Sequence, residues 1–202
     1  MHILSPIFSL FALALPLAAQ QSSNAFAPEI KTALAAKATG TSVQADNWMV
    51  VAANPLAVQS GARVLRAGGT AADAMVAVQS VLGLVEPQSS GLGGGAFLVW
   101  YDGTTREITT LDGRETAPMA ATPTLFQDSS GAPLKFFDAV VGGLSVGTPG
   151  TPALMATAQQ RWGKLAWSAL FSEAVSLADN GFTVSPRLAA VESHDQKRLN
   201  RF

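Results

Sequence analysis

Residues 70–103 read TAADAMVAVQSVLGLVEPQSSGLGGGAFLVWYDG, a capped apolar helix, a glycine-rich turn and a β-like run in succession. Thr70 is a helix-capping type and Asp73 follows three residues on, a variant of the capping box in which each side chain serves the other's backbone N–H. The helix that starts there runs from Ala71 to about Val85 and is apolar on every face except Gln79 and Ser80. A helix without a polar face belongs inside a layered domain. Gly83 and Glu86-Pro87 break the apolar run, so it is too short to span a bilayer. After the glycine-rich turn at 91–95, residues 96–101 read as a buried strand, Asp102-Gly103 as a hairpin signal, and 107–111 as the returning strand.

The turn Gly91-Leu-Gly93-Gly94-Gly95-Ala96 formally fits the G-x-G-x-x-G/A dinucleotide fingerprint. That fingerprint needs a strand before it and a helix after it, so that the helix N-terminus meets a pyrophosphate. Here a helix precedes and a strand follows, and no Lys-Ser or Lys-Thr completes a P-loop. No cofactor is therefore expected. The glycines read instead as a tight turn that lets backbone approach another segment or a substrate.

Toward the N-terminus, Asn54 caps a helix with Pro55 at its first position, and Gly68-Gly69 ends it after Ala67. Residues 46–53 (DNWMVVAA) are expected to form a first strand, and 20–45 a flexible lead-in. The apolar run 3–17, followed by Ala18-Ala19 and Gln20-Gln21-Ser22, has the layout of a secretory signal over residues 1–19, although no Lys or Arg precedes it. Toward the C-terminus, Asp112-Gly113 and Pro118 mark a break and 119–140 a surface excursion. A second glycine-rich segment (Gly142-Gly143, Gly147, Pro149-Gly150) precedes helical stretches at 152–161 and 165–179. Ser185-Pro186 starts a last helix that runs toward Phe202 with no stop signal, which reads as a truncated chain.

Composition narrows the chemistry. Of 202 residues only 13% are charged, about half the roughly 25% usual for soluble domains, so either the buried interior is unusually large or outer layers are missing. A net charge of −1 without a basic run argues against nucleic acid or an anionic membrane surface. The chain has no cysteine, and its two histidines are His2 and His194. His194 lies among Glu192, Asp195, Lys197 and Arg198 and reads as solvated, so neither a serine–histidine–acid triad nor a zinc site is expected. Arg114 remains. It follows a β-like stretch at a glycine turn, and its guanidinium can grip a carboxylate through two parallel hydrogen bonds. Its other reading is a salt bridge with Asp112 or Glu115, which composition alone favours.

Taken in order, NPLA, SGARVLRAGGTAADAMVAVQSVLGLVEPQSSGLGGGAFLVWYD, LDGRETAP, GGLSVGTPGTPAL and LFSEAVSLADNGFTVS resemble the large-subunit half of γ-glutamyltransferases, from about Asp46 to Phe202. The resemblance implies an exported (periplasmic or secreted) N-terminal-nucleophile hydrolase of α/β (α+β) class. Its fold would be an αββα sandwich, incomplete here, with 46–202 a partial large-subunit domain. It implies a precursor that cuts itself in two, with the new terminal threonine of the small subunit taking the γ-glutamyl group of glutathione and passing it to water or an amino acid. A terminal threonine can use its own α-amine as base, which suits a chain so poor in histidine. By the same resemblance Arg114, in DGRETAP, holds the α-carboxylate of the γ-glutamyl group; Glu115 receives no role. The processing point of the family is a Thr-Thr-His-type motif, whereas Thr104-Thr105 is followed here by Arg106 and Thr109-Thr110 by Leu111. The nucleophile, and the small-subunit partner that carries it, are therefore expected outside this chain, which contributes no catalytic or metal-binding residue. Expected ligands are glutathione and other γ-glutamyl compounds. The alternatives are an inactive truncated remnant and part of a related amide acylase.

Overall fold

Local sequence sets the helix ends before any packing is considered. The computed structural model describes residues 26–201, and the secretory signal expected over 1–19 lies outside them. In chain order the helices and strands are α1 (Pro28–Ala38), α2 (Pro55–Arg66), α3 (Ala71–Val85), β1 (Ala96–Tyr101), β2 (Ile108–Gly113), α4 (Phe136–Val140), α5 (Thr151–Trp162), α6 (Ser172–Asn180) and α7 (Pro186–Leu199). The Asn54 side chain accepts from the Leu56 N–H at 3.0 Å, with Pro55 leading α2. Thr70 and Asp73 form the reciprocal capping box of α3.

Helix α3 is the centre of the molecule. One face packs with α2, α5 and the 3-10 turn Trp167–Phe171 around Val64, Ala74, Val76, Ala77, Met155 and Leu170. Further along, Val81 and Val85 join Ala57 of α2 and Leu177 of α6. Helices α2 and α3 come this close because of Gly61, where an added Cβ would lie 2.6 Å from Val78 Cγ2. Strands β1 and β2 pair antiparallel, Ala96 opposite Gly113 and Tyr101 opposite Ile108. The loop between them is held by Asp102, whose Oδ1 accepts from the N–H groups of Thr104 (2.8 Å) and Thr105 (3.2 Å).

Several elements depart from the sequence expectation. Residues 46–53 form no strand, since a strand needs a hydrogen-bonding neighbour and the hairpin is the one sheet among the described residues. Strand β2 runs on through Asp112-Gly113, which reads locally as a break, because Gly113 pairs with Ala96. Strand β1 is covered on one face only. Ala96, Leu98 and Trp100 face α3 and α5, with Trp100 stacked on Trp162 at 4.6 Å. Phe97 (65%), Val99 (72%) and Tyr101 (59%) stand exposed on the other.

The lead-in contains α1, started by Pro28 and tied down by an Arg66–Glu29 ion pair and buried Ile30. The stretch 165–179 is not one helix but the 3-10 turn followed by α6, and the chain just before it is tethered to Asp73 through the backbone N–H groups of Lys164 and Leu165. Helix α7 closes at Leu199 with Asn200 as its cap, a stop signal that the sequence reading passed over.

Asp73 does more than cap. Fully buried, it accepts at Oδ2 from the backbone N–H groups of Thr70 (2.9 Å), Lys164 (2.9 Å) and Leu165 (3.3 Å). Burial opposes its ionisation, but the backbone hydrogen bonds from Thr70, Lys164 and Leu165 outweigh it and hold the carboxyl below the ordinary aspartate value. A group so depressed stabilises the fold above its unfolded-state pKa, and that contribution is lost as pH falls through the lower folded-state value. Asp73→Ala is expected to cost about 1.5–3 kcal/mol at neutral pH, the range for hydrogen bonds to a charged group. The gap between variant and parent should close as acid protonates Asp73. Urea melts at a series of pH values check both; equal midpoints at neutral pH would contradict the assignment.

Candidate functional site

The segment Asp112-Gly113-Arg114-Glu115-Thr116 leaves the end of β2 and is enclosed from two sides by glycine-rich backbone. On one side, an added Cβ on Gly95 would lie 2.5 Å from Glu115 Oε2 and 2.7 Å from the Glu115 backbone nitrogen. On the other, a Cβ on Gly150 would meet the Gly113 carbonyl carbon at 2.6 Å, and one on Gly147 would meet Glu115 Cβ at 2.9 Å. No larger residue fits these positions without moving the main chain. The enclosing segments are also joined to each other: the Gly94 carbonyl accepts from the N–H groups of both Gly150 and Thr151 at 3.1 Å. The Thr148 N–H donates to the Thr116 carbonyl at 2.8 Å in an isolated bridge. Of the two uses expected for the glycines at 91–95, approach to another segment is realised here, and that segment carries Arg114.

This packing brings Arg114 to the mouth of an open cleft of about 530 Å³. Arg114, Glu115 and Thr116 line it together with Phe126, Leu144 and Val146, so charged and apolar side chains share its lining. The two carboxylates that the sequence offered as partners are both engaged, in different ways. Asp112 Oδ1 accepts from the Arg114 backbone N–H at 2.9 Å, which fixes the main chain. Glu115 Oε2 lies 3.3 Å from Arg114 Nε, which orients the side chain. The terminal guanidinium nitrogens make no hydrogen bond or ion pair among the described residues, and the side chain is 70% exposed. A fork held at its base by one carboxylate, with both tips open, can take a second carboxylate through parallel N–H···O bonds. The exposed Arg114–Glu115 pair is itself weak, at about 0–1 kcal/mol, so it directs the side chain without locking it.

His194 is exposed on α7, as the charged run around it suggests. Among the described residues no group of three or more His, Asp or Glu side chains gathers as a metal site. Of the two acids the sequence offered as ion-pair partners, Glu115 is the one that braces the Arg114 side chain, whereas the sequence reading missed Gly147 and Gly150 as the opposite wall. The available signal was the pair of glycine-rich stretches on either side of the arginine.

Comparisons with known proteins identify the family of the chain. A family profile described as Gamma-glutamyltranspeptidase matches residues 57–202. The glutathione hydrolase proenzyme of Bacillus subtilis (strain 168) is 42% identical over 153 residues, covering 76% of this chain and 26% of that protein. Among solved structures, the γ-glutamyltranspeptidase of Helicobacter pylori superposes with a TM-score of 0.75 at 33% identity, over 80% of this chain and 46% of that one. The enzyme from Pseudomonas nitroreducens, complexed with L-DON, gives 0.72 at 32% identity, over 78% and 46%. The chain spans about a quarter of the length of the curated relative it matches. The N-terminal-nucleophile hydrolase class expected from the motifs is the class of these structures, and the helices and hairpin described above form part of that α/β fold. On this profile and these likenesses, the chain belongs to the γ-glutamyltranspeptidase family.

Proposed function

We propose that this chain is the large-subunit portion of a glutathione hydrolase/γ-glutamyltransferase and that Arg114 holds the α-carboxylate of the γ-glutamyl group. The observation that carries the reading is the Arg114 fork, braced at Nε by Glu115 and open at both tips over the cleft. The chemistry divides accordingly. The chain supplies the carboxylate clamp, and a terminal threonine of the small subunit supplies the bond-making atom. Its hydroxyl oxygen attacks the γ-carbonyl carbon, the amide C–N bond breaks, and the amine leaves with a proton passed through the threonine's α-amine. Water or an amino acid then takes the glutamyl group from the ester. Neither Thr-Thr pair of this chain precedes a histidine, so neither is assigned the role. Domain 46–202 works in this scheme as the scaffold that holds the clamp.

We further propose that the protein is exported, with residues 1–19 as its signal. No helix among the described residues is long and apolar enough to cross a membrane. Mass spectrometry of the secreted protein should find an N-terminus near Gln20; an intact Met1 on the mature protein would contradict export by this route.

In the complete enzyme, Arg114→Lys retains the charge but loses the fork. Binding of a γ-glutamyl amide should weaken by about 1.5–3 kcal/mol, the range for hydrogen bonds to a charged group. The loss should show chiefly in KM if the clamp acts equally in ground and transition states. Steady-state kinetics with a chromogenic γ-glutamyl amide measure it, and unaltered kinetics would leave Arg114 as a surface ion-pair residue.

A further inference from the structure

The glycine-rich wall of the cleft is anchored by a second buried carboxylate, remote from Arg114. Glu86 closes the C-terminal end of α3 and is only 2% exposed. Its Oε1 accepts from Asn54 Nδ2 at 3.2 Å and Ser185 Oγ at 3.3 Å. Its Oε2 accepts from Gln88 Nε2 at 2.7 Å and Arg187 Nη1 at 2.9 Å. The Glu86 carbonyl takes the N–H groups of Ser89 and Ser90, at 3.0 and 3.1 Å, and Gln79 Nε2 donates to Ser90 Oγ at 2.7 Å. Arg187 reaches further than Glu86: its Nη2 donates to Ser89 Oγ at 3.1 Å. The turn at 86–90 is thus held from α2, α3 and α7 together, and residue 91 begins the wall whose Gly95 lies against Glu115.

A buried carboxylate is costly unless paired and fully hydrogen-bonded. To end a helix and turn the chain, a neutral cap would suffice. What the ionised network adds is geometric definition, because a bidentate guanidinium fixes distance and direction together. Arg187 is the member that touches both the buried charge and the turn.

We infer that Arg187 is a positioning residue for the carboxylate-binding cleft. By gripping Glu86 and Ser89 at once it sets the height of the 91–95 wall against Glu115, and through Glu115 the direction of the Arg114 fork. The inference rests on the reading of Arg114 proposed above.

Two mild variants of the complete enzyme test it. Ser89→Ala removes the contact between Arg187 and the turn while leaving the Glu86–Arg187 pair. Arg187→Lys keeps a positive charge on Glu86 and gives up the two-pronged grip. Each should raise KM for a γ-glutamyl amide about five- to tenfold, within the scale of one ordinary hydrogen bond, with kcat changing less and the thermal midpoint close to that of the parent. Arg187→Met strands a buried charge and also destabilises the fold, so the milder pair carries the test. Combining Ser89→Ala with Arg114→Lys supplies the readout that a purely structural role would not move. If Ser89 acts through Arg114, the combined loss is smaller than the product of the single losses; independent roles multiply. Multiplying losses, or an unmoved KM in both mild variants while Arg114→Lys raises it, would overturn the positioning role alone. An unmoved KM in Arg114→Lys would instead bring down the reading of the clamp, and this inference with it.

Discussion

A helix with no polar face, carrying an ionised carboxylate at each end, is the constraint on which the other elements depend. Helix α3 cannot face water along its length, so α2, α5, α6 and the 3-10 turn must cover it. The two carboxylates decide where those covers sit. Asp73 takes the N–H groups just after α5 and fixes where the chain turns back. Glu86 takes Asn54, Ser185 and Arg187 and fixes where α2 begins and α7 leaves. Burial opposes the ionisation of Glu86, yet the bonds from Asn54 and Gln88, the Arg187 charge and the Ser185 hydroxyl hold its carboxyl below the ordinary value, as the bonds to Asp73 do there. Both ends of α3 therefore weaken in acid for the same reason.

The site inherits its geometry from this frame. Because α5 is placed by the Asp73 tether and the 91–95 turn follows the Glu86 anchor, the two glycine-rich segments arrive on opposite sides of the β2 exit. Their lack of side chains converts that meeting into a cage tight enough to fix the Arg114 backbone. Only the end of the arginine is left free. A fixed backbone with a loosely braced side chain is compatible with the ligand-gripping role proposed for Arg114. The outer face of the hairpin, with Phe97, Val99, Tyr101 and Ile108, stays uncovered among the described residues.

What could be read in the sequence was local. Asn54-Pro55 and Thr70-x-x-Asp73 announce their helices through side-chain-to-backbone bonds formed within three residues, and both were found as expected. The missed features are long-range. Residues 46–53 have strand composition but no partner strand in reach. Residues 165–179 have helical spacing but form a 3-10 turn and a shorter helix, seated where Leu170 and Leu177 pack against the distant α3. Glu86 and Arg187 stand 101 positions apart, and nothing local to either points to the other. Arg114 shows the limit of a one-partner reading. The sequence offers either a grip on a ligand carboxylate or an ion pair with a neighbouring acid; the structure has the ion pair with Glu115 and leaves the terminal nitrogens open.

The central claim is that the free end of Arg114 recognises a carboxylate, and it can be isolated by changing the ligand as well as the protein. The measurement is kcat/KM of the complete enzyme for a γ-glutamyl anilide and for the matching γ-aminobutyryl anilide, which lacks only the α-carboxylate, in the parent and in Arg114→Ala. A preference of about tenfold or more for the carboxylate-bearing substrate is expected in the parent, the scale of at least one charge-assisted hydrogen bond. That preference should collapse in the variant. An Arg114→Ala enzyme that still discriminates between the two anilides as strongly as its parent would contradict it.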